Sequence, residues 1–591
     1  MSLNISEPQI TVLDAGGQYC HLIARKVREL GVYADVVSSE TPATQLAGRR
    51  GLIISGGPAS VYQAGSPVVD PALYRLDAAV LGICYGHQLM AHQLGGTVRR
   101  GEEGEYGLAV LTRAAEDPLF EGVGEQEQVW MSHRDTVVRP PEGFRVLALT
   151  ATCEVAAMGD VRRRLYGLQF HPEVAHTRPG MKILANFLFR ICGCRRDWNP
   201  RLRVPLLEEQ IREAARDRKV FFFVSGGVDS TVAFTLTLRA LGRERVRGIY
   251  VDTGLMREGE TEFVEGIFSR TPEVLRIERA GGRFLAALKG VADPEQKRRI
   301  IGEEFVSLQE RILESQHFLD GDWILGQGTI YPDTIESGGT AKAAVIKTHH
   351  NRVSGILRLL EAGRVVEPLT CFYKDEVREV GRELGLPEEL LDRHPFPGPG
   401  LAIRCLCSER EAPVRRQGQN WLLPLRSVGV QGDARSYAPV VALARGALEG
   451  EDLHGEATRL INRDPSVNRV VAMVAAHAGI AELRARPALI SDERLQRLRR
   501  ADALVRRLSV ETGYERCVWQ FPVILAPLGT ADRPDSVVLR PVESVDGMTA
   551  SSAAMPRELL ARMSSELLEV EGIAAVFYDL THKPPATIEW E

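Results

Sequence analysis

The 591-residue chain reads as an α/β protein of several units: a parallel sheet covered on both faces, a second doubly wound sheet, and two tandem α+β units at the end. Three observations predict this. Over residues 10–84 short apolar runs alternate with helical stretches, the βαβ rhythm of a parallel sheet. At Phe221-Phe222-Phe223-Val224-Ser225-Gly226-Gly227-Val228-Asp229-Ser230 an apolar run breaks into a glycine-rich turn and restarts as a helix. In the last third the order two strands, one helix, one strand occurs twice. A chain of this length exceeds one hydrophobic core and predicts about three or four domains.

Bulk composition narrows the partners. A net charge of -5 with both signs interspersed, and no basic tail, leaves no electrostatic footprint for nucleic acid. The longest uncharged apolar stretch, Val470 to Ala481, falls short of the roughly 20 residues that cross a bilayer. The opening MSLNISEPQ lacks a basic region followed by an apolar core, so a cytoplasmic protein without membrane contact is expected. Nine cysteines, an odd number spread over a large chain, do not form a disulfide framework in that compartment. Cys192/Cys194 and Cys405/Cys407 are too closely spaced for zinc pairs, so no metal is expected there.

In the first unit, Ile10 to Leu13, Tyr33 to Val37 and Leu52 to Ile54 read as strands, and Cys20 to Leu30 as a helix closed by Gly31. Ala79 to Ile83 is a further strand running into Cys84-Tyr85-Gly86-His87-Gln88 and a helix that stops at Gly95-Gly96. G-x-C-x-G between strand and helix is a nucleophile elbow with cysteine in place of serine. Gly82 and Gly86 remove side chains that would collide in so sharp a turn, and the helix start favours the reactive thiolate of Cys84. The nucleophile needs a base and a group to orient that base. Tyr166 to Glu173 offers both: a strand ending at His171, then a Pro172 turn that brings Glu173 beside it. His87, His92 and His133 read instead as ordinary structural histidines. The turn Ser55-Gly56-Gly57-Pro58 can aim the Gly57 N–H, with the Tyr85 N–H, at an oxyanion.

With the elbow, the HPE turn and the SGGP loop in place, residues 8–197 resemble a class I glutamine amidotransferase domain. The resemblance implies hydrolysis of glutamine through a glutamyl thioester, with release of ammonia. It also implies glutamine contacts at Gln88 and at Asp135, within Met131-Ser132-His133-Arg134-Asp135. Arg134 stands where such proteins usually carry glycine.

Residues 198–404 form the expected second unit. A charged helix, Leu206 to Arg218, precedes the Phe221 to Val224 strand, and a helix is expected from Thr231 to Leu241. Between them Ser225, Gly226, Gly227, Val228, Asp229 and Ser230 form a phosphate cradle: glycines free the backbone, hydroxyls flank it, and the helix points its positive end inward. The loop has no lysine and does not match G-x-x-x-x-G-K-[ST], so it is expected to grip pyrophosphate as a leaving group. Asp229 is placed to hold a magnesium ion beside it. Val246 to Asp252 and Ile324-Leu325 are further strands, the second ending in Gly326-Gln327-Gly328-Thr329 and the loop from Pro332 to Gly338. Lys347 of Lys347-Thr348-His349-His350-Asn351 could neutralise charge growing on the α-phosphate.

SGGVDS after a strand resembles the signature of ATP pyrophosphatases. In order, SGGVDS, D-P-E-x-K-R-R-I-I-G from Asp293, GQGT, PDTIESG, IKTHHN and H-P-F-P-G-P-G from His394 resemble the GMP synthase family over nearly the whole chain. That resemblance implies ATP as co-substrate with Mg2+. It implies adenylation of the C2 oxygen of XMP and displacement of AMP by ammonia drawn from glutamine.

Residues 405–591 carry the repeated unit, about 415–500 and 501–591. The likeness is to the longer form of the family with two such copies, and packing one on the other points to a monomer, with a homodimer as alternative. By motif match, Arg298, Asp433, Gln520, Lys583 and Glu589 would contact XMP, the last two from the tail Lys583 to Glu591. The alternatives are an adenylating amidotransferase acting on another acceptor, such as an NAD synthase, and a nucleotide-binding regulator without turnover.

Overall fold

A computed structural model of the chain describes residues 7–17, 19–336, 354–431, 434–444, 446–448, 452–464, 466–544 and 550–591. Lys347 and Asp433, both expected site residues, lie outside them.

The first sheet has nine strands: β1 (Ile10–Asp14), β2 (Ala34–Ser38), β3 (Gly51–Ile54), β4 (Ala79–Ile83), β5 (Thr97–Arg113), β6 (Gln126–Arg139), β7 (Arg145–Leu149), β8 (Ala157–Asp160) and β9 (Leu165–Leu168). Their order is β2-β1-β3-β4-β9-β8-β7-β5-β6. The five strands from β2 to β9 are parallel, and β3 and β4 are buried throughout, as strands covered on both faces must be. The other half, from β8 to β6, is antiparallel, which the βαβ reading did not foresee. The cause is connection length: residues 161–164 between β8 and β9 leave no room for a crossover helix, so the chain must turn back. Helices α1 (Cys20–Glu29) and α2 (Tyr85–Gln93) flank the parallel half.

The second sheet is wholly parallel: β10 (Lys219–Val224), β11 (Val246–Asp252), β12 (Leu275–Arg279), β13 (Trp323–Gly326) and β14 (Val365–Val366), in the order β12-β11-β10-β13-β14. Strand order reverses between β10 and β13, and ligands of doubly wound sheets settle in the crevice beyond such a point. The two sheets meet at Arg28 of α1. Its guanidinium, almost wholly buried, donates to Glu376 at 3.0 Å and to the Cys371 carbonyl at 2.7 Å. The rings of Tyr33, Tyr331 and Tyr373 surround it with centroids 4.7 to 4.8 Å away.

In the last third, Asn420–Gln431, Ala434–Ala442, helix Leu453–Arg463 and Arg469–Ala476 form one copy, and Val523–Ala526, Asp535–Leu539, helix Arg557–Leu568 and Ile573–Asp579 the other. In each the first two strands pair antiparallel and the last runs parallel to the second. The two last strands pair with each other, Val471 opposite Asp579, so both copies share one seven-stranded sheet. A 21-residue helix, Asp492–Thr512, links the copies and was not expected. Ser491 caps it, Leu495, Leu498, Ala501, Val505 and Leu508 bury one face, and Gly513 ends it in the left-handed conformation.

At the seam of the copies, Asp579 lies between Arg469 at 2.7 Å and Arg540 at 3.0 Å, all three without solvent exposure, and accepts from Trp590 Nε1 at 2.9 Å. The same arginines donate to the backbone carbonyls of Thr587, Ile588 and Glu589, fixing the C-terminal tail. Asp579→Ala leaves two buried guanidinium groups without their anion. It is expected to cost about 3–5 kcal/mol and to lower the denaturant midpoint of this unit in an unfolding titration.

Candidate active sites

The first site forms at the carboxyl edge of β1, β3 and β4. Cys84 caps α2 with φ +52° and ψ -104°, a strained conformation that costs about 1–3 kcal/mol and lifts its side chain out of the strand line. The two glycines permit it: a Cβ on Gly82 would lie 2.4 Å from the Gly86 carbonyl oxygen, and one on Gly86 2.3 Å from that of Ile54. β9 ends at Leu168, so His171 belongs to the loop three residues beyond the strand rather than to its end. His171 Nδ1 lies 2.7 Å from Glu173 Oε1, and both side chains are buried. Burial opposes charge on His171, but the Glu173 carboxylate and the Cys84 sulfur outweigh it and hold the imidazole pKa well above the ordinary value. Tyr19 packs edge-on against the imidazole, centroids 5.3 Å apart.

A pocket of about 650 Å³ opens onto this group, bordered by Gly57, Gln88, Ser132, Arg134 and Asp135 as well as Cys84. Gln88 Nε2 donates to the Asp135 carbonyl at 2.7 Å and to Gln169 Oε1 at 3.1 Å. Asp135 Oδ1 accepts from the Tyr62 hydroxyl at 2.9 Å. Gln88 thus positions the strand that carries Asp135. The elbow and the HPE turn were legible as spacing. Tyr19 and Tyr62 were not, because each comes from a separate loop with no motif of its own; Gln169 lies within the HPE stretch, but its contact with Gln88 is long-range.

The second site lies at the strand-order reversal. The helix after β10 runs Val228–Leu241, three residues earlier than expected, so Asp229 and Ser230 occupy its first turn. Ser225 Oγ and Ser230 Oγ are 2.8 Å apart, and Ser230 Oγ accepts from the Ser225 N–H at 3.1 Å, drawing the loop into a ring. Gly226 has φ +76° and a Cβ there would press on Tyr250 and Val264 at 3.1 Å. The loop after β13 closes the other side: a Cβ on Gly328 would reach Ser230 N at 2.8 Å.

Asp229 Oδ2 is 3.5 Å from Lys374 Nζ, while Oδ1 is buried with no hydrogen-bond partner among the described residues. Burial raises its pKa, and Lys374 pulls the other way. Lys374, first residue of the helix Lys374–Glu383, was missed by the sequence reading. Its place at a helix start following Thr370-Cys371-Phe372-Tyr373 was the available signal.

Of the residues expected around XMP, Arg298, Lys583 and Glu589 belong to or meet the tail. Arg298 Nη2 donates to the Glu591 carbonyl, and its neighbour Lys297 pairs with the Glu591 carboxylate. Glu589 is held in a bidentate pair by Arg404, at 2.7 and 3.0 Å, so its carboxylate already has a partner. Gln520 is buried and bridges to Val542, and Lys583 bridges to Ala550 through the backbone. The tail is thereby tied to the helix Pro294–Ser315 of the second unit.

Comparison with known proteins identifies the family. The family described as glutamine amidotransferase class-I matches residues 11–191, and the GMP synthase C terminal domain matches residues 510–590. A probable glutamine-hydrolysing GMP synthase of Leptospira interrogans is 41% identical over 606 residues, 99% of this chain and 99% of its own. The GMP synthase of Symbiobacterium thermophilum is 48% identical over 501 residues, 78% of this chain and 96% of its own, and that of Aquifex aeolicus 40% over 593 residues, 98% and 99%. A cysteine elbow and a lysine-free glycine cradle in one polypeptide that aligns with such relatives over nearly its full length place the chain in the glutamine-hydrolysing GMP synthase family.

Proposed function

We propose that the first site hydrolyses glutamine and that the second uses the ammonia to convert XMP to GMP while ATP is cleaved to AMP and pyrophosphate. The observation that carries this reading is the coexistence of a strained thiol beside a buried His–Glu pair with a phosphate loop that lacks the lysine of terminal-phosphate transfer. At the first site His171 takes the Cys84 proton, the sulfur attacks the amide carbon, and the N–H groups of Gly57 and Tyr85 receive the oxyanion. His171 returns the proton to the departing ammonia, and water releases glutamate from the thioester. Gln88 and Asp135 position the amino-acid end of glutamine.

At the second site the C2 oxygen of XMP attacks the α-phosphorus of ATP, and the cradle from Ser225 to Ser230 receives the departing pyrophosphate. An oxo group leaves a ring carbon poorly; as an AMP ester it is displaced by ammonia. Lys347 would neutralise the α-phosphate. Arg298, Asp433, Gln520 and Lys583 would hold XMP, with Glu589 sharing its carboxylate between XMP and Arg404. The buried Oδ1 of Asp229, without a hydrogen-bond partner among the described residues, suits a hard cation, so Asp229 would hold Mg2+, which supplies charge neutralisation for the pyrophosphate.

The shared seven-stranded sheet supports a monomer, since each copy covers the edge the other would present. Nine cysteines free of disulfides support a cytoplasmic location. Among the described residues no helix is long and apolar enough to cross a membrane. Purified protein given glutamine, XMP, ATP and Mg2+ is expected to yield GMP, AMP and pyrophosphate; ADP in place of AMP would overturn the reading.

Glu173→Gln tests the first site. Removing the carboxylate that holds the His171 pKa up lets the imidazolium lose its proton at lower pH, so the alkaline limb of glutamine hydrolysis moves down in pH. The rate at the optimum is expected to fall by about 10²–10⁴-fold, read from a pH–rate profile.

A further inference from the structure

We propose that Glu105, His133 and Cys153 form a binding site for a zinc-class divalent cation, next to the first pocket, which His133 borders. The three residues come from separate elements. Glu105 on β5 and His133 on β6 face each other as a cross-strand pair. Cys153 follows β7 in a turn held by Thr150, whose N–H donates to the Cys153 carbonyl at 2.9 Å while Cys153 N–H donates to Thr150 Oγ1 at 3.0 Å. One ligand atom from each of the three lies within 4.8 Å of the others, the only such grouping of three among the described residues.

The donor set decides the class of ion. A thiolate, an imidazole and a carboxylate are the ligands zinc takes, at about 2.0–2.3 Å in tetrahedral array, whereas magnesium and calcium want oxygen alone. In a tetrahedral site such ligand atoms stand roughly 3.3–3.8 Å apart, so closure needs a shift of about 1 Å. His133 Nε2 is already 3.3 Å from Glu105 Oε2.

Each ligand also has the outer partner that metal ligands require. His133 Nδ1 is 3.0 Å from the Asp135 carbonyl, a bond that puts the proton on Nδ1 and leaves Nε2 free to coordinate. Thr150 Oγ1 donates to Glu105 at 2.9 Å, and Thr136 Oγ1 lies 3.4 Å from Cys153 Sγ. The side chain of Glu105 is 17% exposed against 6% for His133, so the ion enters past the carboxylate and keeps water as its fourth ligand. On binding, the thiol proton of Cys153 passes to solvent and a metal–sulfur bond replaces the S–H bond; nothing is oxidised or reduced. Because the Asp135 carbonyl also accepts from Gln88, an ion on His133 braces the strand that carries Asp135.

Cobalt(II) serves as the probe, in the full chain carrying Cys84→Ala so that the nucleophile cannot contribute a thiolate. Titration is expected to give one equivalent of a sulfur-to-cobalt charge-transfer band in the near ultraviolet, displaced by zinc. Adding Cys153→Ser should abolish the band, His133→Gln should abolish stoichiometric binding, and Thr150→Val should weaken zinc by about 10–100-fold. Circular dichroism and melting of each variant check the fold, so that if Cys153→Ser does not fold the His133 and Thr150 variants still decide. Absence of the band, or a band that survives Cys153→Ser, would overturn the assignment.

Discussion

Cys84→Ala is expected to lower glutamine-dependent GMP formation by about 10⁴-fold or more while synthesis from added ammonia continues near its original rate. The asymmetry follows from the placement of the two sites. Cys84 caps α2 on the nine-stranded sheet, and the phosphate loop follows β10 on a different sheet, so deleting one sulfur leaves the second site untouched. Alanine keeps the Cβ that the position already tolerates at φ +52°, so the elbow keeps its shape and little stability is lost. Glutamate release and GMP formation, each measured with glutamine and with ammonium salt, separate the effects. Loss of ammonia-dependent synthesis as well would show that the sites do not act independently.

Asp229→Asn should produce the mirror image: synthesis from either nitrogen source reduced by about 10²–10³-fold, with hydrolysis of glutamine by the first site retained. Asparagine fills the same volume in the first turn of the Val228–Leu241 helix but brings no negative charge. Lys374, 3.5 Å away in the native protein, then loses this counterion, and a cation at the buried oxygen loses its charged ligand. The variant should also need more Mg2+ for half-maximal rate, read by titrating the metal. Burial raises the native carboxyl's pKa, with Lys374 opposing it. Unchanged pyrophosphate release would remove Asp229 from the site.

Parallel strands buried on both faces were legible because burial writes them as unbroken apolar runs, and β4 and β11 fall where their runs do, whereas β12, which alternates apolar and charged residues, and the two-residue β14 were not read. The antiparallel half of the first sheet was not, since β5 and β6 alternate charged and apolar residues along exposed hairpins that resemble loops. The Asp492–Thr512 helix escaped for a related reason. Arginines and acids dominate its sequence, and Arg494 and Arg497 are buried only because Asp535 from the second copy meets them, at 2.8 and 2.6 Å. A charge pattern read alone suggests a solvated face; the partner that buries it is 38 residues away from Arg497.

By itself the sequence determined what is local: the cysteine elbow, the His–Pro–Glu turn and the glycine cradle. Each needs particular residues at fixed spacing because backbone geometry within a few positions allows nothing else. Only the tertiary structure decided what is long-range. It set the clasp of Arg28 with Glu376, the pairing of Asp229 with Lys374, the hold of Arg404 on Glu589, and the meeting of Glu105, His133 and Cys153. Charges and metal ligands act through space over a few ångströms, and which of them come that close is settled by sheet order, which no stretch of residues encodes alone.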